Sequence, residues 1–512
     1  MRIAAIDIGT SSTRALLFDG VRFTGESAAV EYALKHPEPG AAELGAMEVM
    51  DALVNCVRSL TLKTAGRIDC VALSSAMHSL IAVDAAGAPL TPVFTWADNR
   101  AAQAGESLRA TAGGRALYLE TGVPIHAMSP LVKLIWLRAT RPGVFACAAK
   151  FVSIKEFVVH QLFGRWMVDD SIASASGLYA LARGDWSDAA LAVAGLGRRQ
   201  LSALAPPTTM LSGLSPGYGA AMNLPVDTRF MLGASDGCLA NLGAGVLAGG
   251  GRRRAVLTIG TSGALRMAVP APATDPAMRT FCYVLDRSEF VIGGATNGGG
   301  LPLRWLRDNF PQLRAGLDAS DPYTALADLA RTVPAGAGGL LFHPYLAGER
   351  APLWNAAARA SFIGLNFGHG PAHLVRAVME GVLFNLSMIL DVLEELSAGP
   401  VDEIVAGGGF AHSPFWLQMA ADLFGRTLAV ADNPESTAQG AALMAMQALG
   451  QCDSLAAAAV LLPPATRRVT PDAATHARYA KLKPIFAALP AKLAPFHAQL
   501  TALQRTFDQE ET

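Results

Sequence analysis

The sequence predicts an α/β protein of two similarly built lobes, and three observations carry that prediction. Ile8-Gly9-Thr10-Ser11 returns as Ile259-Gly260-Thr261-Ser262, nearly half the chain later, each time after an apolar run that reads as a strand. Short β-type runs alternate with longer amphipathic or Ala-rich stretches, the pattern of sheets covered by helices. The length, 512 residues, exceeds what one hydrophobic core usually supports, so two domains are expected.

Taken in order, strands are expected at 2–8, 70–74, 256–259, 290–293 and 403–406, where apolar and β-branched residues cluster between turn formers. Helices are expected at 46–60, 374–396 and 414–423. The glycine-dense stretch 243–251 reads as the linker, giving domains 1–246 and 247–512. Each repeated tetrapeptide forms a tight turn, between Ala4-Ala5-Ile6 and Ala15-Leu16-Leu17 in the first copy and between Ala255-Val256-Leu257 and Ala264-Leu265-Arg266 in the second. A turn of Gly, Thr and Ser lets backbone N–H groups and hydroxyls approach an anion closely. Two such hairpins facing one another would hold a nucleotide triphosphate, whereas four residues alone are equally compatible with two unrelated turns.

Composition narrows the class. With 51% hydrophobic and 16% charged residues, the chain has material for large cores and too little charge for a disordered protein. Its mean hydropathy is positive, largely from Ala, yet no uncharged apolar run is long enough to span a bilayer, and the longest candidate, 455–462, stops at Pro463-Pro464. The N-terminus meets Asp7 inside its first apolar run, unlike a secretory signal, so a cytoplasmic location without a membrane partner is expected. A net charge of -1 gives no reason to expect nucleic acid, and Arg252-Arg253-Arg254 reads as a solvated loop. The six cysteines, Cys56, Cys70, Cys147, Cys238, Cys282 and Cys452, form no Cys-x-x-Cys pair, so reduced core thiols are expected rather than a zinc site or disulfides.

Longer blocks identify a family. Asp7-Ile8-Gly9-Thr10-Ser11-Ser12-Thr13-Arg14 resembles the first phosphate-binding hairpin of the FGGY carbohydrate kinases, within the actin-like ATPase superfamily. Ala360-Ser361-Phe362-Ile363-Gly364-Leu365, then seven residues, then His373-Leu374-Val375-Arg376-Ala377-Val378-Met379-Glu380, is similar to the signature segment of that family. Gly233-Ala234-Ser235-Asp236-Gly237, Gly348-Glu349-Arg350-Ala351-Pro352 and Gly407-Gly408-Gly409-Phe410 match in order as well, so the resemblance covers 1 to roughly 445. It implies two actin-like (ribonuclease H-like) domains with a catalytic cleft between them, ATP and Mg²⁺ as cofactors, closure over the substrate, and a small sugar acid or polyol as acceptor. Kinases of this family are often homodimers, and the resemblance admits that state here.

The resemblance also distributes roles, each beside a plainer structural one. Asp7 would hold Mg²⁺ directly or through water, or simply brace its turn. Thr10, Ser11 and Ser12 would line the β- and γ-phosphates, with Thr261 and Ser262 closing from the other lobe. Arg14 would add positive charge, or point to solvent. Asp236, among small residues, would take the proton of the attacking alcohol as general base, and is also placed to cap a helix. Gly408 and Ser413 belong to the strand-to-helix turn that matches the adenosine motif, and Gly299, in Gly298-Gly299-Gly300, would approach the nucleotide. For the sugar, Met77 and His78 follow a strand, and Thr95-Trp96-Ala97-Asp98-Asn99-Arg100 offers a ring, a carboxylate, an amide and a guanidinium, with Trp96, Asp98 and Arg100 as the substrate contacts. This block, like Leu239-Ala240-Asn241-Leu242-Gly243, resembles that of the gluconate kinases in the family. Arg100 would bind the gluconate carboxylate through two parallel bonds or brace Asp98. The function implied is ATP-dependent phosphorylation of the 6-hydroxyl of D-gluconate. A xylulose, glycerol or other polyol kinase is the neighbouring enzyme reading, and a nucleotide-switched actin-like binding protein the non-enzyme one. The tail from 451 to 512, Ala- and Pro-rich with helical stretches, carries only a packing role.

Overall fold

The computed structural model describes residues 1–64, 68–310, 321–430 and 435–510. They form two compact units. The first comprises Met1–Gly250, Ala268–Ile292 and Glu435–Leu462, and the second Gly251–Met267, Gly293–Pro434 and Pro463–Thr512.

In the first unit one mixed sheet runs in the order Met210–Leu211, Arg229–Ser235, Cys70–Ser75, Arg2–Ile8, Ser12–Asp19, Arg22–Glu31. Arg2–Ile8 pairs antiparallel with Ser12–Asp19 and parallel with Cys70–Ser75, which in turn runs parallel to Arg229–Ser235. Period-two alternation sorts the side chains. Ala4, Ile6 and Ile8 face the helix Ala46–Lys63 and its Val49, Leu53, Val57 and Leu60. Ile3 and Ala5 face the opposite layer, built from Cys238, Leu239 and Leu242 with Ala441, Ala442 and Ala445. There the helices Asp236–Gly243 and Ser436–Ala448 touch backbone to backbone: a Cβ on Gly243 would lie 1.9 Å from the Ser436 carbonyl oxygen, and one on Gly440 2.0 Å from that of Leu239.

The second unit repeats the scheme. Its strands follow the order Phe290–Thr296, Gly263–Val269, Arg254–Ile259, Glu403–Gly407, Thr427–Val430, Arg467–Val469. Arg254–Ile259 pairs antiparallel with Gly263–Val269 and parallel with Glu403–Gly407, as Arg2–Ile8 does with its own two neighbours. The 26-residue helix Pro371–Leu396 is buried along most of its length. The expected strands and helices are all present, most with a turn or a residue or two more at their ends.

One expectation is corrected. Arg254 does not sit in a solvated loop with Arg252 and Arg253; it opens a strand, and its guanidinium pairs with the buried Glu403 carboxylate at 2.7 Å. The ion pair is formed across adjacent parallel strands, which a charge run read in one dimension does not reveal. Cys56, Cys70, Cys238 and Cys282 are buried thiols, and Cys147 is exposed. Among the described residues no helix is long and apolar enough to cross a membrane.

Candidate active site

Three neighbouring parallel strands of the first unit bring their carboxyl ends together, and the polar residues gather there. Asp7, Ser74 and Ser235 are adjacent in register, with Asp7 opposite Ser74 and Ser235 opposite Ser75. Ligands of open α/β sheets bind at this edge of the strands. The register depends on Gly233. It has φ +69°, the pairing shifts between Met231 and Ala234, and a Cβ there would lie 1.6 Å from the Leu73 carbonyl oxygen. This bulge delivers Asp236 as the first residue of the helix Asp236–Gly243. Ser235 is thus the capping position, and Asp236 accepts a bond from the Gly237 N–H at 2.7 Å through Oδ1. A carboxylate in the first helical turn is favoured by the helix dipole.

Asp7 accepts a hydrogen bond from Ser74 Oγ at 3.0 Å. Burial, and then the Asp236 carboxylate, push its carboxyl up to about 6, against the Ser74 bond and the Arg14 charge, which favour ionisation. Asp7, with Ser74 bonded to it and the Asp236 carboxylate within electrostatic reach, offers the hard oxygen donors that Mg²⁺ accepts while keeping several waters, so the residues present fit that ion. Among the described residues no group of three or more His, Cys, Asp or Glu converges on one point, as an all-protein cage would require. Arg14, half-exposed, pairs through its guanidinium with Glu435. In the first hairpin Gly9 N–H donates to the Ser12 carbonyl at 2.9 Å, and Thr10 Oγ1 accepts from Trp96 Nε1 at 3.0 Å. The block that contains Trp96 and the first hairpin are therefore joined by a direct bond.

Met77 packs over Gly237, whose Cβ would lie 2.7 Å from the Met77 Cε, so the glycine beside Asp236 makes room for that side chain. His78 sits in the left-handed region at φ 66°. Its Nδ1 donates to the Ala175 carbonyl at 2.7 Å, which leaves Nε2 to accept from the Tyr283 hydroxyl at 3.3 Å. Both ring nitrogens have protein partners, so His78 shapes the wall through a fixed ring.

Trp96 is 38% exposed, whereas Asp98 and Arg100 are inside. Arg100 has a 7% exposed side chain; it pairs with Asp98 at 2.6 Å, with Glu38 at 2.6 Å and with Glu43 at 2.5 Å, and lies over the Phe94 and Trp136 rings. Burial works against its charge, yet bonds to Asp98, Glu38 and Glu43 hold its pKa above the usual value. Asp98 also accepts from the Ala42 N–H at 3.1 Å. Of the two roles weighed for Arg100, the geometry is that of a brace. Its donors are taken by three carboxylates, and Asp98, engaged on the protein side, is no free hydroxyl reader. Glu38 and Glu43 lie some sixty residues away in sequence, and nothing in the Trp-Ala-Asp-Asn-Arg block signals them.

The second unit holds a cavity of about 380 Å³, whose lining includes Gly260, Thr261, Gly300, Arg304, Tyr323, Phe410 and Ser413. Its size and mostly apolar walls suit a small planar ligand with one polar end. Three glycines crowd the second hairpin. A Cβ on Gly299 would lie 2.3 Å from the backbone of Ser262, and one on Gly408, at φ +88°, 2.6 Å from the Ile259 carbonyl oxygen. Gly300 N–H donates to the Gly260 carbonyl at 2.6 Å. Ser413 Oγ accepts from the Trp416 N–H at 3.3 Å and so caps the helix Pro414–Phe424 as well as lining the cavity. Sequence reasoning missed Arg304 and Tyr323. Arg304, one helical turn after Gly300, was findable from that spacing, while Tyr323 comes from a separate helix.

Residues 2–243 match the N-terminal domain, and residues 255–449 the C-terminal domain, of the FGGY family of carbohydrate kinases. The chain is 40% identical over 507 residues to a gluconokinase of Bacillus subtilis (strain 168), covering 98% of each chain. Among solved structures, a gluconate kinase from Lactobacillus acidophilus is similar at a TM-score of 0.91 and 33% identity, over 98% of this chain and 99% of the other. A ligand-bound xylulose kinase from the same organism is similar at the same TM-score, identity and coverage.

Proposed function

Since the chain belongs to the FGGY family of carbohydrate kinases, phosphotransferases with an alcohol group as acceptor, we propose that it transfers the γ-phosphoryl group of ATP to the 6-hydroxyl of D-gluconate, giving 6-phosphogluconate. The observation that carries the sugar's identity is the 40% identity to a gluconokinase along almost the whole of both chains. A cytoplasmic location, with no nucleic-acid or membrane partner, goes with that reading, because ATP is the phosphoryl donor.

In this reading Asp236 accepts the proton of the 6-hydroxyl as the oxygen–phosphorus bond forms and the bond to ADP breaks. Thr10, Ser11 and Ser12 of the first hairpin hold phosphate through hydroxyl and backbone donors, and Thr261 and Ser262 of the second hairpin offer donors of the same kind. Asp7 holds Mg²⁺, which when bound neutralises phosphate charge. Trp96 offers its ring to the sugar while its Nε1 stays on Thr10, and Met77 supplies an apolar wall over Gly237. Arg100 acts indirectly, by holding Asp98 and the backbone at Ala42 in place. Gly299, Gly408 and Ser413 accept the adenosine end in the second unit's cavity.

The test is ADP release with ATP and Mg²⁺ across gluconate, xylulose, ribulose and glycerol, with Asp236→Asn run beside the parent. Gluconate should be turned over with the highest kcat/KM, and Asp236→Asn should lower kcat by about 10³-fold. Faster turnover of xylulose would overturn the sugar and keep the kinase. Full activity in Asp236→Asn would remove the base.

A further inference from the structure

A buried lysine holds the strand that ends at the base. Lys155 is the second residue of the helix Ile154–Phe163; its side chain is 2% exposed, and its Nζ donates to Asp169 Oδ2 at 2.8 Å and to the Ala234 carbonyl at 3.1 Å. Asp169 is fully buried, and its Oδ1 accepts from the Ile172 N–H at 2.8 Å, capping the helix Asp170–Ser174. In that helix Ser171 Oγ accepts from the Ser235 N–H at 3.2 Å and shares a hydroxyl bond with Ser235 at 3.0 Å. The two residues before Asp236 are therefore anchored at the Ala234 carbonyl and the Ser235 amide by one polar assembly. The same lysine helix is tied to the sugar-side loop, since the Ile154 N–H donates to Ser79 Oγ at 3.0 Å.

Packing alone does not account for this arrangement. Taking an ammonium and a carboxylate out of water is costly, and a well-packed apolar pair is often as stable or more so. What such a pair does provide is a fixed charge and a fixed backbone position. Lys155 lies within electrostatic reach of Asp236, which itself opposes Asp7. A positive charge within electrostatic reach of Asp236 partly offsets that carboxylate's negative charge. Burial pulls the Lys155 pKa below its usual value, and the Asp169 carboxylate works to keep the ammonium charged.

We propose that Lys155 is a positioning residue for phosphoryl transfer: through its bond to the Ala234 carbonyl it fixes the approach of the Asp236 carboxylate to the sugar hydroxyl. The inference rests on the reading of Asp236 as the base. Asp169 is the partner that keeps the lysine in place, and Ser171 guards the next peptide.

The experiment uses the full chain and whichever sugar the parent phosphorylates, with three variants: Lys155→Met, the neutral buried pair Lys155→Met/Asp169→Leu, and Lys155→Met combined with Asp236→Asn. Lys155→Met should lower kcat by about 30-fold with the KM for ATP within about twofold, the size expected when a reacting group is displaced by a fraction of an ångström. The neutral pair should recover thermal stability without recovering kcat. In the Asp236→Asn background the lysine substitution should cost less than about threefold, because the two residues then act as one unit. Recovery of kcat in the neutral pair, or an equal loss with and without Asp236, would make Lys155 a purely structural residue and overturn the proposal. If Lys155→Met does not fold, the neutral pair alone decides. Failure of the base assignment is seen separately, as undiminished turnover in Asp236→Asn alone.

Discussion

The two hairpins share four residues and a pairing scheme, yet they are built to different ends. The first follows Asp7, lies beside Asp236, and has its Thr10 hydroxyl bonded to the Trp96 ring nitrogen. In the second, Thr258 stands where Asp7 stands in the first, and the turn is packed by the backbones of Gly299, Gly300 and Gly408. One turn has carboxylates and an indole bonded at it, while the other is packed by glycine backbones beside a cavity. A duplicated backbone device is thus set among different neighbours in the two units, and the difference lies in those neighbours.

The largest effect should come from erasing the charge that separates the two turns. Asp7→Asn is expected to lower kcat by about 10³-fold in Mg²⁺-supported turnover assays, whereas Thr258→Val, at the matching place in the second hairpin, should change it less than about threefold. Equal losses would dissolve the contrast. The same Asp7 substitution should stabilise the ligand-free protein. Its carboxyl titrates near 6 when folded against 3.8 ordinarily, so the folded state holds the proton more tightly than the unfolded chain. Ionisation therefore costs stability as pH rises from about 4 through 6, by up to about 3 kcal/mol above that range. Denaturant titrations should show Asp7→Asn more stable than the parent at pH 7.5 and no different below about pH 4.

Smaller effects probe the backbone-packed turn. In Gly299→Ala a methyl group would press on the Ser262 peptide, and steady-state kinetics should show the KM for ATP rising about tenfold with kcat altered less than about threefold. A loss confined to kcat would move Gly299 to the reacting end. Trp96→Phe keeps a ring but loses the bond to Thr10. One hydrogen bond is worth about 1 kcal/mol, so a roughly fivefold fall in kcat/KM for the sugar is expected. No change would mean that the bond does not connect sugar block and phosphate turn in function.

The hairpins, the parallel strands after them and the helix carrying Asp236 were legible because their signals are local: small residues at turns, apolar runs and glycines at fixed places. The roles of polar side chains were less so. Arg100 read equally as a sugar ligand or a brace, and the deciding partners, Glu38 and Glu43, become neighbours only when the loop folds over. Arg14 finds Glu435 from almost the other end of the chain. Lys155 gave no signal, because a lysine in the first turn of a helix ordinarily lies in water, and only tertiary packing buries it against Asp169.

The close contact between Asp236–Gly243 and Ser436–Ala448 has a consequence for how the protein is made. The helix that begins at Asp236 is covered by a segment that follows most of the second unit in the sequence, and the Gly243 and Gly440 contacts bring the two helices together backbone to backbone. A nascent chain emerging from the ribosome cannot complete its first unit until Leu462, the end of its last segment, has been synthesised. Until then an apolar face stays open, so fragments ending near 250 should require chaperones or aggregate, and a stop codon anywhere before that helix removes both units together.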